Sequence, residues 1–522
     1  MANRFGITES LSRISKNANI KGEPAMQQKT TLLKGKYVIG YDGEQHVIYE
    51  DGEVVYRGSD IVFVGHDYPG PCDEVWDAGL SIVSPGFIDL EADVDTDHAN
   101  FDVVLFKSDP SDGLNFEPAM GPRLRDPYTD DDFYIRQKYS MAQLILNGVT
   151  TMMPIAGERF HAWSQTAHEF EIMAEAVEEM GVRAYLGPSF KSRPFRFAEN
   201  DPVKEEKSFR EAVEYCEKYA TAGHPLIRPF MNPCQISITE PEILQQAMAV
   251  AKRLDVPMRL HACEEDVEWK YVLPRFGKTT VDLFEDLGLL TPKLLMPHAI
   301  TVKNSELEKL ALYGVTVVHT PIAEANYGAG LFSFAKYLDY GINMTIGTDA
   351  QPVDMIQNMR LAWHLDRLCE WKVIYTRYGE DGSMENRFGH EPHYPKTTAA
   401  DYFNAATVNA AKALGRDDLG VLCEGAKADI IVIDLDDLAV GPVEDPIRTL
   451  IVSCVGNNVK HTIIDGVVRM KDRELIGIDE PALRIEAQRV YDRFLSLYGQ
   501  YEASGHGLDV LCPPSMPLYR KL

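Results

Sequence analysis

Apolar positions along this chain follow two regimes. Near both ends they form short runs bounded by turn residues. Between the ends, such runs alternate with longer stretches whose apolar positions repeat at helical spacing. Residues 36–39 make the first run, and Tyr41-Asp42-Gly43 turns the chain. Residues 46–50 and 53–56 are predicted as two strands joined by a hairpin turn at Asp51-Gly52, and residues 61–64 as another. The same pattern returns at 428–433 and at 461–464, where Asp465-Gly466 turns into Val467-Val468. The simplest arrangement pairs the two ends into one small β-sandwich, built from residues 28–82 and 421–475.

The middle of the chain reads as repeated strand–helix units. Residues 129–146 are predicted helical, with Thr129 capping the start, Asp132 three residues on, and Tyr134, Met141, Leu144 and Ile145 on the apolar stripe. Strands follow at 149–152, 183–186, 227–231, 257–261, 294–298, 315–319 and 343–349. The run at 82–90 makes eight. Helices separate them, such as 305–312 closed by Gly314. Eight such units over 83–420 predict an α/β fold, a (β/α)8 TIM-type barrel, with its site at the C-terminal ends of the strands. Residues 1–27 read as an N-terminal arm, and 476–522 as a C-terminal helix and tail.

Four of the predicted strands end in His261, His298, His319 and Asp349. Imidazoles and a carboxylate gathered at one rim need partners, and a shared cation is the natural one. Composition narrows the partners further. The 522 residues carry 79 Asp and Glu against 52 Lys and Arg, a formal charge of −27, with no basic run. Nucleic acid and anionic membrane are therefore excluded as expected partners, and a small-molecule substrate is left. No stretch approaches ~18 continuous apolar residues, so no membrane span is expected. The first thirty residues lack an apolar segment of the signal-peptide kind, and the eight cysteines are dispersed without C-x-x-C spacing. Both features point to a reduced, cytoplasmic protein.

The motifs at the strand ends resemble those of the amidohydrolase superfamily, over about residues 30–475. Ser84-Pro85-Gly86-Phe87-Ile88-Asp89 is similar to its strand-one signature, and His261-Ala262-Cys263-Glu264 to its strand-five His-x-x-Glu. His298, His319-Thr320-Pro321 and Gly347-Thr348-Asp349 resemble the signatures of strands six to eight. Within the superfamily the chain looks closest to the mononuclear cytosine-deaminase and triazine-hydrolase group. It has stretches similar to members acting on phenylurea and thiocarbamate (molinate-type) compounds, such as Asn343-Met344 and Asp354-Met355-Ile356. The resemblance implies one divalent metal ion per chain, zinc first, with iron, manganese or cobalt as alternatives. It also implies a homo-oligomer. The two-metal members carry a lysine at the end of strand four, where this chain reads Pro229-Phe230-Met231-Asn232-Pro233.

One departure stands out. The family follows strand one with His-x-His, and this chain has Glu91-Ala92-Asp93. Glu91 and Asp93 could ligate in their place, His98 could supply the missing imidazole, or the strand could give no ligand. The resemblance makes His261, Asp349 and His298 the remaining expected metal ligands. His298 could alternatively hold the water and polarise the substrate. Asp349 and Glu264 would handle the proton of an acidified water, with Glu264 passing it to the leaving nitrogen. His319, Asn326, Tyr327 and Arg193 are expected substrate contacts, with Phe190, Tyr327 and Trp269 as an apolar lining. The expected activity is hydrolysis of an amide, urea or carbamate-like C–N bond. An aminohydrolase of a nitrogen heterocycle and a non-catalytic scaffold are the alternatives.

Overall fold

The computed structural model describes residues 29–93, 128–155, 166–192, 201–264, 266–326, 329–331, 333–349, 352–370, 376–378, 384–386, 396–497 and 516–517. The expected N-terminal arm, His98, Arg193 and Tyr327 lie outside the described residues, as do the side chains of Asp93 and Trp269.

Strand β1 (Thr30–Tyr41) pairs antiparallel with β2 (His46–Arg57) along its whole length, from Thr30 opposite Arg57 to Tyr41 opposite His46. The hairpin expected at Asp51-Gly52 is absent. Asp51 takes a left-handed φ of 53°, yet the strand runs through it. Both halves of the segment find a partner in β1, so they do not fold onto each other. Gly52 is there because the neighbours crowd it: a Cβ would come within 2.7 Å of Tyr49 Cβ and 3.0 Å of Val38 Cβ. Strands β3 (Asp60–Gly65), β4 (Glu74–Asp77) and β5 (Ser81–Pro85) follow.

After a break of one residue the chain enters β6 (Phe87–Asp93). The break is Gly86, where a Cβ would sit 2.2 Å from the Thr150 side chain. Then come α1 (Asp130–Leu146), β7 (Val149–Ile155), α2 (Ala167–Met180), β8 (Arg183–Leu186), β9 (Ser189–Phe190), α3 (Pro202–Ala222), β10 (Ile227–Pro229), β11 (Asn232–Pro233), α4 (Pro241–Leu254) and β12 (Met258–Arg259). Helices α5 (Asp266–Phe276) and α6 (Thr280–Asp286) lead to β13 (Leu294–Pro297), α7 (Asn304–Leu312), β14 (Thr316–His319), α8 (Pro321–Asn326), α9 (Phe334–Asp339) and β15 (Asn343–Ile346). Helix α10 (Met355–Glu370), the short pair β16 (Thr376–Tyr378) and β17 (Met384–Asn386), α11 (Ala399–Ala405) and α12 (Val408–Ala413) complete the middle. The C-terminal part holds β18 (Ile430–Asp434), α13 (Pro446–Ser453), β19 (Val459–Ile464), β20 (Val467–Lys471), β21 (Glu474–Leu475) and α14 (Glu480–Leu497).

Local signals account for the helix limits. Thr129 and Asp132 form the expected capping box on α1. Helix α2 stops at Gly181, whose φ is 67°, and α7 stops ahead of Gly314, also at 67°. Among the described residues no helix is long and apolar enough to cross a membrane.

Both chain ends enter one nine-stranded sheet, in the order β21-β20-β19-β18-β5-β1-β2-β3, with β4 also pairing β1. The two ends join edge to edge, β5 antiparallel to β18. Leu33, Val38, Val54, Ile430, Val432 and Ile463 lie in the core cluster of this sheet.

The eight central strands form two parallel half-sheets, β6-β7-β8-β10 and β12-β13-β14-β15. A parallel bridge from Met231 to Met258 joins them on one side. On the other side the Asp349 N–H donates to Glu91 O at 2.6 Å. Helices follow most of these strands, and the apolar core runs between the two layers.

Arg183, at the start of β8, ties this unit to the terminal sheet. Its Nε donates to Asp429 at 2.9 Å and one terminal nitrogen to Asp465 at 3.0 Å, while the other reaches Pro225 O at 2.7 Å. The Arg183 and Asp429 side chains are each only 3% exposed, so the charges depend on each other. Removing one partner of a buried pair strands the other and costs about 3–5 kcal/mol. Arg183→Met is expected to lower unfolding stability by that amount in urea titration, and a change within ~1 kcal/mol would show that water replaces the arginine.

Candidate active site

The C-terminal ends of β6, β12, β13, β14 and β15 bring together most of the expected residues. Strand β6 carries an irregularity between Asp89 and Ala92, so that Asp89 lies opposite Met152 and Ala92 opposite Pro154. Such bulges re-aim a side chain. Here Glu91 is fully buried. Gly347 makes room for it: a Cβ there would stand 2.8 Å from Glu91 Cβ and 3.2 Å from an Asp89 carboxylate oxygen.

Asp89 clamps the junction of the first and eighth strands. Its carboxylate accepts from Thr348 Oγ1 at 2.6 Å, Thr348 N at 3.2 Å and Glu91 N at 3.1 Å. Burial pushes this carboxyl up to about 6 in spite of those bonds.

His261 stands two residues past β12. Its Nδ1 is 3.1 Å from Cys234 O. A carbonyl only accepts, so Nδ1 carries the hydrogen, and Nε2 is directed to Glu91 Oε1 at 2.9 Å. An imidazole lone pair facing a carboxylate is unfavourable unless a proton or a metal cation lies between them. Two donors held at ~2.0–2.2 Å on one tetrahedral ion stand about 3.3–3.6 Å apart, so the 2.9 Å pair would open by roughly half an ångström to admit one. A histidine that ligates a metal usually donates its other ring N–H to a carbonyl or carboxylate in this way.

Arg259, two residues before His261, is buried at 0% exposure beside the same carboxylate. Its Nη1 is 3.3 Å from Glu91 Oε2 and donates to Met153 O at 3.1 Å. Its Nη2 donates to Pro154 O at 2.8 Å, and the guanidinium lies 5.0 Å from the Phe230 ring centroid. Burial alone would raise the Glu91 carboxyl, but the charge beside it, Arg259 foremost, holds it below the usual carboxylate range.

His298 stacks on His261, with ring centroids 5.7 Å apart. Its Nδ1 meets Thr320 Oγ1 at 3.1 Å, and Nε2 is 3.7 Å from Glu264. Burial disfavours its charge, but Glu264, Glu324 and Asp349 outweigh this and push it up to about 10. Cys263, His298, Ala299 and Asp349 all hold positive φ, between 50° and 67°. Non-glycine residues adopt this region uncommonly, and such strain concentrates where side chains must be aimed.

Sequence reading missed Arg259 and Glu324, and it quoted Asp89 in the strand-one signature without giving it a role. Arg259 and Asp89 sit inside strand runs, where neither position signals a charged interior. Glu324 lies in the first turn of α8, where an acid is commonplace. Only its burial, at 1% exposure, distinguishes it. It accepts from Thr320 N at 3.1 Å and Leu331 N at 3.2 Å and contacts His319 Nδ1 at 3.2 Å. Against the effect of burial, His319 and His298 hold its carboxyl far below the usual range. His319 is thus buried, with its Nδ1 held against Glu324. Phe190 is not a pocket lining but core, packed edge-to-face on Phe209. Asn326 ends α8 half-buried. Among the described residues, no three His, Cys, Asp or Glu groups are already drawn onto one point.

The amidohydrolase family model matches residues 82–469, well over half of the chain. This chain belongs to the amidohydrolase family. Among curated relatives, a 5-methylthioadenosine/S-adenosylhomocysteine deaminase of Pyrococcus abyssi is 28% identical, over 90% of this chain and 99% of its own length. A 5'-deoxyadenosine deaminase of Methanosarcina mazei is 25% identical, over 89% and 98%. Among solved structures, a zinc-bound adenosine deaminase of Xanthomonas campestris superposes with a TM-score of 0.72 at 20% identity, covering 90% of this chain and 99% of the other. A zinc-complexed atrazine chlorohydrolase of Arthrobacter aurescens gives 0.68 at 20% identity, covering 88% and 100%. This amidohydrolase is thus an enzyme of the hydrolase class that acts on C–N bonds. The separate expectation of a scaffold without chemistry loses its ground.

Thr348 is fully buried, and its hydroxyl is the shortest bond to Asp89. Thr348→Val should leave a buried carboxyl oxygen unpaired and cost about 1–3 kcal/mol in chemical denaturation, with Thr348→Ser close to the parent. Equal stability of the two variants would remove Asp89 as the clamp.

Proposed function

We propose that this amidohydrolase cleaves a C–N bond at an sp2 carbon of a small neutral molecule, with one divalent ion held at the strand ends. In this reading the two half-sheets form one closed (β/α)8 barrel and the site is its mouth. The observation that carries the proposal is the His261–Glu91 pair: Nδ1–H donates to the Cys234 carbonyl, so that Nε2 presents its lone pair to a buried carboxylate at 2.9 Å.

The residues present fit a divalent ion. His261 and Glu91 would hold it, with Asp349 next to them through its backbone bond to Glu91, and with Asp93 as a further carboxylate on the same strand. Zinc suits an imidazole and carboxylate set, and iron, manganese and cobalt accept the same donors. When bound, such an ion supplies acidification of water from a pKa of 15.7 toward ~7.

The chain's own groups divide the remaining work. Glu264 is a quarter exposed and lies 3.7 Å from His298, so it can reach both the interior and a substrate. It takes a proton from water and hands it to the departing nitrogen. His298, held cationic by the carboxylates around it, donates a hydrogen bond to the oxygen that gains charge. Asp349 keeps its orientation because its own backbone N–H is tied to Glu91.

The named relatives favour a second reading, release of ammonia from a purine ring of an adenosine-type nucleoside. Both readings use the same residues and differ in the product. Purified protein supplied in turn with zinc, iron(II), manganese and cobalt should turn over a phenylurea, a thiocarbamate or a 5'-thio-substituted adenosine. Assaying amine against ammonia then separates the two. No turnover of any of these compounds with any of the metals would sink the proposal. Glu264→Gln should lower kcat by about 10²–10⁴ while leaving bound metal unchanged, and His261→Ala should lose the metal itself.

A further inference from the structure

Placing a carboxylate where an imidazole would serve adds one negative charge to the cradle. The structure contains the matching positive charge. Arg259 is fully buried, its Nη1 lies 3.3 Å from Glu91 Oε2, and four further contacts fix the guanidinium: Leu90 O at 3.4 Å, Met153 O at 3.1 Å, Pro154 O at 2.8 Å and Asn232 Oδ1 at 3.5 Å. These acceptors belong to β6, β7 and β11, so the cation is held by the strand framework and cannot swing away to solvent. The other Glu91 oxygen is left for His261 Nε2, and neither oxygen has a hydrogen-bond donor of its own.

We propose that Glu91 and Arg259 act as one neutral unit that takes the place of a neutral histidine at this strand end, with Arg259 as the positioning residue that lets a carboxylate serve in the cradle. This rests on the reading above that a divalent ion binds beside His261 and Glu91. Arg259 does not touch the substrate or the ion. It sets the charge that the ion meets. A guanidinium cannot lose its proton, so its charge is permanent. Once Glu91 is gone, the bare cation stands behind the ion's seat.

The consequence runs against intuition. Glu91→His restores an imidazole, the better zinc donor, yet it orphans Arg259 and should weaken metal binding. Adding Arg259→Met removes the stranded charge and should restore it. The test is chelator competition for zinc on the wild-type chain and on the variants Glu91→His, Arg259→Met and the double, together with thermal unfolding of each with and without zinc.

The expected result is at least a tenfold loss of zinc affinity in Glu91→His, recovery to within threefold of wild type in the double, and a larger zinc-induced rise in Tm for Arg259→Met than for wild type. If Glu91→His fails to fold while the double folds and binds zinc, the proposal is also supported, because the stranded guanidinium is what separates the two. The proposal is overturned if Glu91→His binds zinc as well as wild type with Arg259 in place, or if the double is no better than the single in folding and in affinity. A wild-type chain that takes up no stoichiometric metal of any of the four kinds would instead bring down the functional reading itself.

Discussion

A charge taken out of water must find its opposite within a few ångströms, and the interior of this protein is organised around that demand. Glu91 is fully buried, and a bare carboxylate in such a place would neutralise or expel itself. It persists because Arg259 and His261 flank it on separate oxygens. Much of the local geometry follows from holding these three side chains in register: the irregular pairing of β6, the absence of a side chain at Gly347, and the clamp from Asp89 to Thr348. The same demand recurs on a second level, where Glu324 is pinned between His319 and the two backbone N–H groups that it accepts from. His298 links the two groups, its ring stacked on His261 and its Nδ1 3.7 Å from Glu324.

Much of the fold was readable because it is written in local signals. Thr129 with Asp132, and the glycines at 181 and 314, mark helix limits through hydrogen bonds and φ values that only certain residues provide. His261, His298, His319 and Asp349 were readable as rim residues because chemistry-bearing residues follow apolar runs, although only β14 ends on its histidine and the other three lie one to three residues past β12, β13 and β15. What escaped depends on partners far away in the chain. Asp51-Gly52 looks like a hairpin turn, and only the presence of β1 as a continuous partner keeps it in a strand. Arg259 looks like an exposed strand residue until β6 and β7 supply the carbonyls that absorb its donors. Phe190 is likewise a plausible pocket wall until Phe209 of α3 covers it. Burial is a property of the assembled fold, and neither residue type nor spacing reports it.

The relatives named for adenosine-type deamination span almost the entire chain, and the solved structures share its fold. The functional question lies in the few positions where this amidohydrolase places acids. Carboxylates at 91, 264, 324 and 349 crowd one end of the strands, and the cations that balance them come from β12 and from the histidines.

The edge-to-edge joining of β5 with β18 carries a cost in time. Val83 pairs with Val432, so nearly 350 residues must be synthesised before the partner strand exists. At a ribosomal pace of ~5–20 residues per second, that is roughly 20–70 s during which one edge of β5 stays open. An unpaired edge invites pairing with another nascent chain. The late arrival of the C-terminus therefore makes biogenesis, rather than the finished molecule, the stage most exposed to aggregation, and a truncation before residue 430 would leave that edge open permanently.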